Sequence, residues 1–254
     1  MSLPMKIGRV AFPSLHPGSC FLRGNGRDLQ PTLSPDGSFL VFVSNRPLKP
    51  GEGKRPSSLW RVARAGAGWG EPSHLLDEIH RDDGIYAPSI AGDGSLYFIA
   101  RDTATAPFRI WRSQLRRGQY EPAIAISFGD TTTQDVDPAV APDESFIVFG
   151  SMHPGTDKHE RLFLSFRQGD RWGTPIDLGD AINGAKDSSD TNEPRLAPDH
   201  RTVYFSSDRT VPLHFPRTRA QAEADLARVQ AWDNGNINIW RASLAPWLDG
   251  PHAN

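Results

Sequence analysis

The sequence predicts an all-β protein, a β-propeller of four recognisable four-stranded blades. Three observations lead there. One hairpin sequence returns four times along the 254 residues. Each copy runs into a continuous apolar stretch, and aromatic residues recur at fixed places downstream of it. A repeat of this length marks stacked supersecondary units, each too small to bury its own apolar faces.

The hairpin reads "PTLSPDGSFLVFVSNR" from Pro31, "PSIAGDGSLYFIARD" from Pro88, "PAVAPDESFIVFGSMH" from Pro138 and "PRLAPDHRTVYFSSDR" from Pro194. Its aspartates, Asp36, Asp93, Asp143 and Asp199, are 57, 50 and 56 residues apart. In Ser34-Pro35-Asp36-Gly37 the proline has the φ of the second position of a type I turn. The Asp carboxylate can accept from nearby backbone N–H groups, and the glycine suits a left-handed residue. Glu144 and His200 take the place of that glycine in the third and fourth copies, at a modest strain cost. Asp is the fixed element.

The apolar runs Phe39–Val43, Leu96–Ile99, Phe146–Phe149 and Val203–Phe205 follow the turns. Continuous rather than alternating apolarity predicts strands covered on both faces, as when sheets pack between sheets. A third strand is marked by "SLWRV" at Trp60, "RIWRS" at Trp111, "RLFLS" at Phe163 and "NIWRA" at Trp240. A fourth is marked by "GWGEP" at Trp69, "GQYEP" at Tyr120, "RWGTP" at Trp172 and "APWLD" at Trp247. Four antiparallel strands repeated radially are propeller blades. They are expected near 30–80, 87–129, 137–182 and 193–250, all in one domain. The recurring aromatics read as packing between blades.

Residues 1–29 are too short for a further blade, but "IGRVAF" and "CFLRG" can supply strands that close the ring against the last one. Four blades plus this closing segment is the expectation, with five blades the alternative. In the fourth unit, "RTRAQAEADLARVQAW" predicts an inserted helix over about 218–232. Thr218 and Gln221 have capping-box spacing, and Ala222, Leu226, Val229 and Ala231 or Trp232 form an apolar face expected to pack on a blade.

The order of these motifs (a proline, "SPDG", an apolar run ending in Phe, "SNR" or "SDR", an Ile-Trp or Leu-Trp strand, then Trp-x-x-Pro) resembles the WD40-like β-propeller repeat of the TolB type. The resemblance covers about Leu29 to Trp247. It implies a bacterial, often exported protein that serves as an interaction platform. It departs from the pattern where relatives open the third strand with Asp, since Ser58, Arg109, Arg161 and Asn238 stand there. Similar repeats form the lid domain of prolyl oligopeptidase-like hydrolases. Those enzymes carry a Gly-x-Ser-x-Gly nucleophile elbow, and this sequence has none.

A formal charge of -2, from 28 basic against 30 acidic residues, gives no global field for a nucleic acid or an anionic membrane. No window has the 18 or so apolar residues of a transmembrane segment. The one cysteine, Cys20, lacks the company of a zinc site. No His-Glu-x-x-His or phosphate loop occurs. "MSLP" ahead of Met5 can be native or a cloning remnant. If an export signal has been removed the protein is periplasmic, and otherwise it is cytoplasmic.

Propellers place ligands where loops converge at the channel mouth, so the segments before each repeat proline are the candidate site. They carry Asp28, Asp83, Asp135, Asp137, Asp190 and Glu193, and Arg46, Arg101 and Arg209 end the neighbouring second strands. Three readings follow: ion pairs and loop braces, an oxygen-lined site for Ca²⁺ or Mg²⁺, or acid/base catalysis. No other cofactor is implied. Every repeated feature is accounted for by packing and turns. The expectation is therefore a non-enzymatic binding or scaffold module with a protein or small-molecule partner at the mouth. The alternative is a carbohydrate-active hydrolase or lyase whose carboxylates converge on the axis.

Overall fold

The computed structural model describes residues 26–49, 51–75, 84–129, 132–152, 159–185, 189–210, 215–231 and 235–250. Among them, four blades are arranged as a β-propeller. Blade 1 is an antiparallel sheet of β1 (Asp28–Leu33), β2 (Phe39–Ser44) and β3 (Ser58–Ala65). Past its pairing with β2, β3 forms a tight hairpin with β4 (Gly68–Trp69), and the chain returns as β5 (Ser73–His74) on the outer edge of β3.

Blade 2 repeats the path with β6 (Tyr86–Ile90), β7 (Leu96–Ala100) and β8 (Arg109–Ser113). A small hairpin, β9 (Leu115–Arg116) and β10 (Gln119–Tyr120), precedes the edge strand β11 (Ile124–Ala125). Blade 3 contains β12 (Asp135–Val140), β13 (Phe146–Ser151), β14 (Arg161–Gln168), β15 (Arg171–Trp172) and β16 (Ile176–Asp177), followed by helix α1 (Asp180–Asn183). Blade 4 has β17 (Thr191–Leu196), β18 (Thr202–Ser207) and β19 (Asn238–Ser243), interrupted by helix α2 (Arg219–Ala231).

The repeated turns have one geometry. The fourth residue of each turn donates its N–H to the carbonyl of the first, at 2.8 Å for Gly37–Ser34, 3.0 Å for Gly94–Ala91, 2.8 Å for Glu144–Ala141 and 2.9 Å for His200–Ala197. Each Asp accepts the N–H two residues on, from Ser38, Ser95, Ser145 and Arg201 at 2.8 to 3.0 Å. Glu144 and His200 hold φ of 57° and 51° where glycine stands in the first two copies, so the strain expected of them is present. Hydrogen bonds from Ser34 and Ser38 lower the Asp36 carboxyl to about 2.

The aromatics pack between blades. Phe98 and Trp111 of blade 2 share a core with Phe39, Val41, Val43 and Leu59 of blade 1. Phe149 and Phe163 of blade 3 lie with Tyr97, Ile99 and Ile110 of blade 2. Phe205 and Trp240 of blade 4 lie with Phe146, Val148, Leu162 and Leu164 of blade 3. Each ring pair therefore faces the preceding blade. A polar clamp adds to the second interface, where Glu144 accepts from Tyr97 Oη at 2.6 Å and from Arg112 Nε at 2.7 Å.

Three expectations are corrected. Trp69, Tyr120 and Trp172 end the small hairpins, and the outer strands lie a few residues later. Trp247 lies in a short helix, α3 (Ala245–Leu248), so among the described residues blade 4 has three strands; Pro246 in its first turn has no N–H to give a sheet but suits a helix start. Helix α2 carries its capping box, with Thr218 N–H donating to Gln221 Oε1 at 2.8 Å and Gln221 N–H to Thr218 Oγ1 at 3.3 Å. It does not bury an apolar face on a blade, since Leu226 is 56% exposed and Val229 is also exposed. Its large apolar side chains, Leu226 and Val229, are too few to hold it down among alanines and charged neighbours. The expected closing segment and Trp232 lie outside the described residues.

Candidate active site at the axial mouth

The inner strands β1, β6, β12 and β17 pack in that order about an axial cavity of about 410 Å³, lined from all four blades by residues such as Pro31, Pro88, Val140 and Arg195. At the mouth each inner strand has a bulge. The residue before each repeat proline is left-handed: Gln30 (φ 49°), Ala87 (49°), Asp137 (51°) and Glu193 (51°), each where the register with the next strand shifts. Bulges re-aim side chains, and non-glycine residues with positive φ persist only where the surroundings hold them. Here a neighbouring blade does so. Gln30 Oε1 accepts the Ala87 N–H at 2.8 Å, and the Asp137 carboxylate accepts the N–H of Glu193.

The sequence-predicted residues separate at this mouth. Asp28 lies at its exposed edge and pairs with Arg46 at 2.7 Å. Arg46 also stacks over Phe42 and Trp60. Arg101 stacks on Phe108 at 4.2 Å and donates to Ala104 O at 3.0 Å. Arg209 stacks on Trp240 at 4.5 Å and donates to Ile182 O. Arg46 has the expected carboxylate partner. Asp135 is buried and takes the Ser151 hydroxyl at 2.6 Å, the part of a brace below the mouth. Asp83 lies outside the described residues.

Asp137, Asp190 and Glu193 come together around Glu160, which the sequence reading did not single out. Glu160 precedes β14. Its N–H donates to Asp190 Oδ1 at 2.8 Å, and its carbonyl accepts the Thr191 N–H at 2.9 Å, tying blade 3 to the loop that opens blade 4. His159 Nδ1 is 3.4 Å from the same Asp190 oxygen. The Glu160 side chain folds over Gly150, where a Cβ would stand 1.9 Å from Oε1. Oε1 is buried and has no hydrogen-bond partner.

Burial, then the charges of Asp137, Asp190 and Glu193, raise the Glu160 carboxyl to about 8. It therefore holds its proton at neutral pH. Asp137 is also raised, chiefly by burial, with Arg195 opposing and Glu193 adding to the effect. Glu193 itself is exposed. The signal for Glu160 was present as a glycine. Gly150 interrupts the apolar run of β13 at the register position held by Val43, Ile99 and Ser206 in the other blades. A missing side chain in a packed strand marks the close approach of something else. Among the described residues no group of three or more His, Cys, Asp or Glu is placed to hold a metal ion.

No family model matches the chain, and no curated protein is significantly similar to it. Solved structures resemble it at low identity. A puromycin-hydrolyzing peptidase of Mycobacterium tuberculosis is 15% identical with a TM-score of 0.49, over 73% of this chain and 29% of that one. A prolyl endopeptidase is 13% identical with a TM-score of 0.41, over 72% and 24%. A GH43_12 protein retrieved from a capybara gut metagenome is 12% identical with a TM-score of 0.45, over 85% and 39%. The chain thus spans between about a quarter and two fifths of the length of these structures. At such identities the likeness concerns the fold alone.

Fold and mouth together define a β-propeller with a proton-holding acidic rim. This corrects the expectation of a non-enzymatic scaffold module. The mouth is not simply an open polar surface. It gathers the Glu160 carboxyl, which keeps its proton, with Asp137, Asp190 and Glu193, none of which lines the axial cavity. The solved structures named above are, by their titles, two peptidases and a GH43_12 protein.

Proposed function

We propose that the protein is a carbohydrate-active hydrolase whose chemistry is carried at the axial mouth by Glu160 and the carboxylates beside it. The observation that supports this most is the buried Glu160 carboxyl, raised to about 8, next to the exposed Glu193. Cleavage of a glycosidic bond calls for one carboxyl that keeps a proton for the leaving oxygen and another that is ionised to activate water or attack carbon. Different environments on neighbouring carboxyls supply that division of labour. In this reading Glu160 is the general acid. Glu193, open to solvent on a fixed backbone, is the base, and Asp137 and Asp190 keep the Glu160 proton in place by their charge.

The "SPDG" turn and its three variants "AGDG", "APDE" and "APDH", the Phe in each apolar run and the Ile-Trp or Leu-Trp strands support assigning the propeller to the WD40-like TolB type. The test is turnover of a panel of aryl glycosides and plant and bacterial polysaccharides by the full chain, with Glu160→Gln and Glu193→Gln in parallel. The reading expects cleavage of at least one substrate, with an alkaline limb near pH 8 and a loss of 10³-fold or more in each variant. No turnover by folded protein across the panel, or full activity in Glu160→Gln, overturns it.

A further inference from the structure

The axial cavity carries a charge opposite to that of the acidic mouth. It begins at the repeat prolines Pro31 and Pro88, below the bulges, and runs to the turns, where Pro35, Pro198 and His200 are exposed. It therefore opens at the turn face, the end of the propeller away from Glu160. Its walls are prolines and aliphatic side chains such as Leu33, Ile90, Val140 and Leu196. No Asp or Glu lines it, although the chain has 30 acidic against 28 basic residues. The ionisable groups that do line it are Arg195 and His200.

Arg195 is half-buried and under-used. Its Nη1 donates to Pro194 O at 2.8 Å, and among the described residues no carboxylate pairs with it. Asp137 feels its charge, but that carboxylate is turned to the Glu193 N–H. A guanidinium keeps its charge throughout the physiological pH range and presents a planar fork of donors that matches a carboxylate. Most other polar groups of the cavity are taken. Thr32 Oγ1 donates to Pro88 O at 2.8 Å, and Ser34 Oγ to Asp36 Oδ1 at 2.6 Å. Ser89 Oγ accepts the Val140 N–H at 3.1 Å, which leaves its own proton to give. Leu33, a wall of the cavity, is 53% exposed, so apolar surface is left open to a ligand.

We infer that the axial cavity binds a small apolar carboxylate, with the acid group on Arg195 and the hydrocarbon body between the proline and aliphatic walls. The unpaired guanidinium calls for an anion. A single free fork among apolar walls suits two carboxylate oxygens and leaves the further oxygens of a phosphate without donors. At about 410 Å³ the cavity is of the size of small-molecule sites. The site shares no lining residue with the acidic mouth and does not depend on the chemistry proposed there.

Isothermal titration of the full chain with 3-phenylpropionate, benzoate and hexanoate tests this, with 3-phenylpropanamide and inorganic phosphate as the uncharged and the fully polar controls. The inference expects at least one carboxylate to bind with a Kd of about 1 mM or below. The amide and phosphate should bind at least about tenfold more weakly, and Arg195→Met should weaken the carboxylate by a similar factor. Leu33→Trp, at an exposed position, should narrow the cavity and weaken binding while leaving the fold intact. Glu160→Gln should bind as wild type does, which separates this result from that of the glycoside assays. Absence of binding by all three carboxylates overturns the inference, as does equal binding of the amide or indifference to Arg195→Met. Phosphate binding as tightly as the carboxylates overturns it too, since the apolar walls would then play no part. Should Arg195→Met unfold the chain, the amide comparison and Leu33→Trp decide.

Discussion

Gly150 and Glu160 occupy one place: a methyl group on the glycine would lie 1.9 Å from the glutamate's Oε1 and 2.9 Å from its Cδ. The acid of the mouth is held where it is because β13 has no side chain at this point.

Gly150→Ala should displace the Glu160 carboxyl toward solvent. The clashing atoms are the end of a flexible side chain and Gly150 is not left-handed, so stability should change by less than about 1 kcal/mol. The Glu160 proton should then be lost nearer the usual carboxylate range, and any mouth activity should fall with it. Thermal melts and pH–rate profiles of the variant check both halves. A profile unchanged in Gly150→Ala contradicts the link.

Stability should fall with rising pH between about 4.5 and 8. The folded chain keeps a proton on Glu160 up to about 8, whereas the unfolded chain releases it near 4.5. The proton-linked stability is therefore full below the lower value and gone above the higher. Glu160→Gln carries no such proton. Relative to wild type it should gain roughly 3 to 5 kcal/mol from pH 4 to pH 9, at about 1.4 kcal/mol per pH unit. Urea unfolding of both proteins at five or six pH values measures it, and parallel curves refute it.

Trp111→Ala should cost roughly 3 to 5 kcal/mol, because the ring is buried between blades 1 and 2 and its N–H is satisfied by Ala100. A loss below about 1 kcal/mol in chemical denaturation would mean that the ring is not a packing element.

The blades were legible in the sequence because their determinants are local and repeated. The aspartate of each turn accepts from its own loop, and each apolar run serves two neighbouring sheets, so both leave a periodic mark. Where the fourth strand failed, at Trp247, the repeat motif was outweighed by a local helix start at Pro246. Helix α2 was legible from its cap, but its docking was not, since an exposed Leu226 and a docked one read alike in sequence. The mouth was half legible. Asp137, Asp190 and Glu193 flank the repeat prolines and were singled out for that reason.

Glu160 escaped because its environment is assembled from β12, β13 and the loop before β17, and it has no counterpart in the other repeats. Gly92 departs from the repeat for the same kind of reason. It replaces the turn proline of the other copies because its N–H donates to Pro142 O at 2.6 Å, and a Cβ would stand 2.8 Å from that oxygen. Departures from the repeat, at Gly92, Gly150 and Glu160, mark where one blade meets another.

The central claim is that the mouth holds a protonated carboxyl at neutral pH. The most direct measurement is a ¹³C NMR titration of the glutamate side-chain carboxyl carbons, with the Glu160 signal assigned by its absence in Glu160→Gln. The account predicts a midpoint near 8 for that resonance. A midpoint between about 4 and 5, the range of an ordinary glutamate, would contradict it.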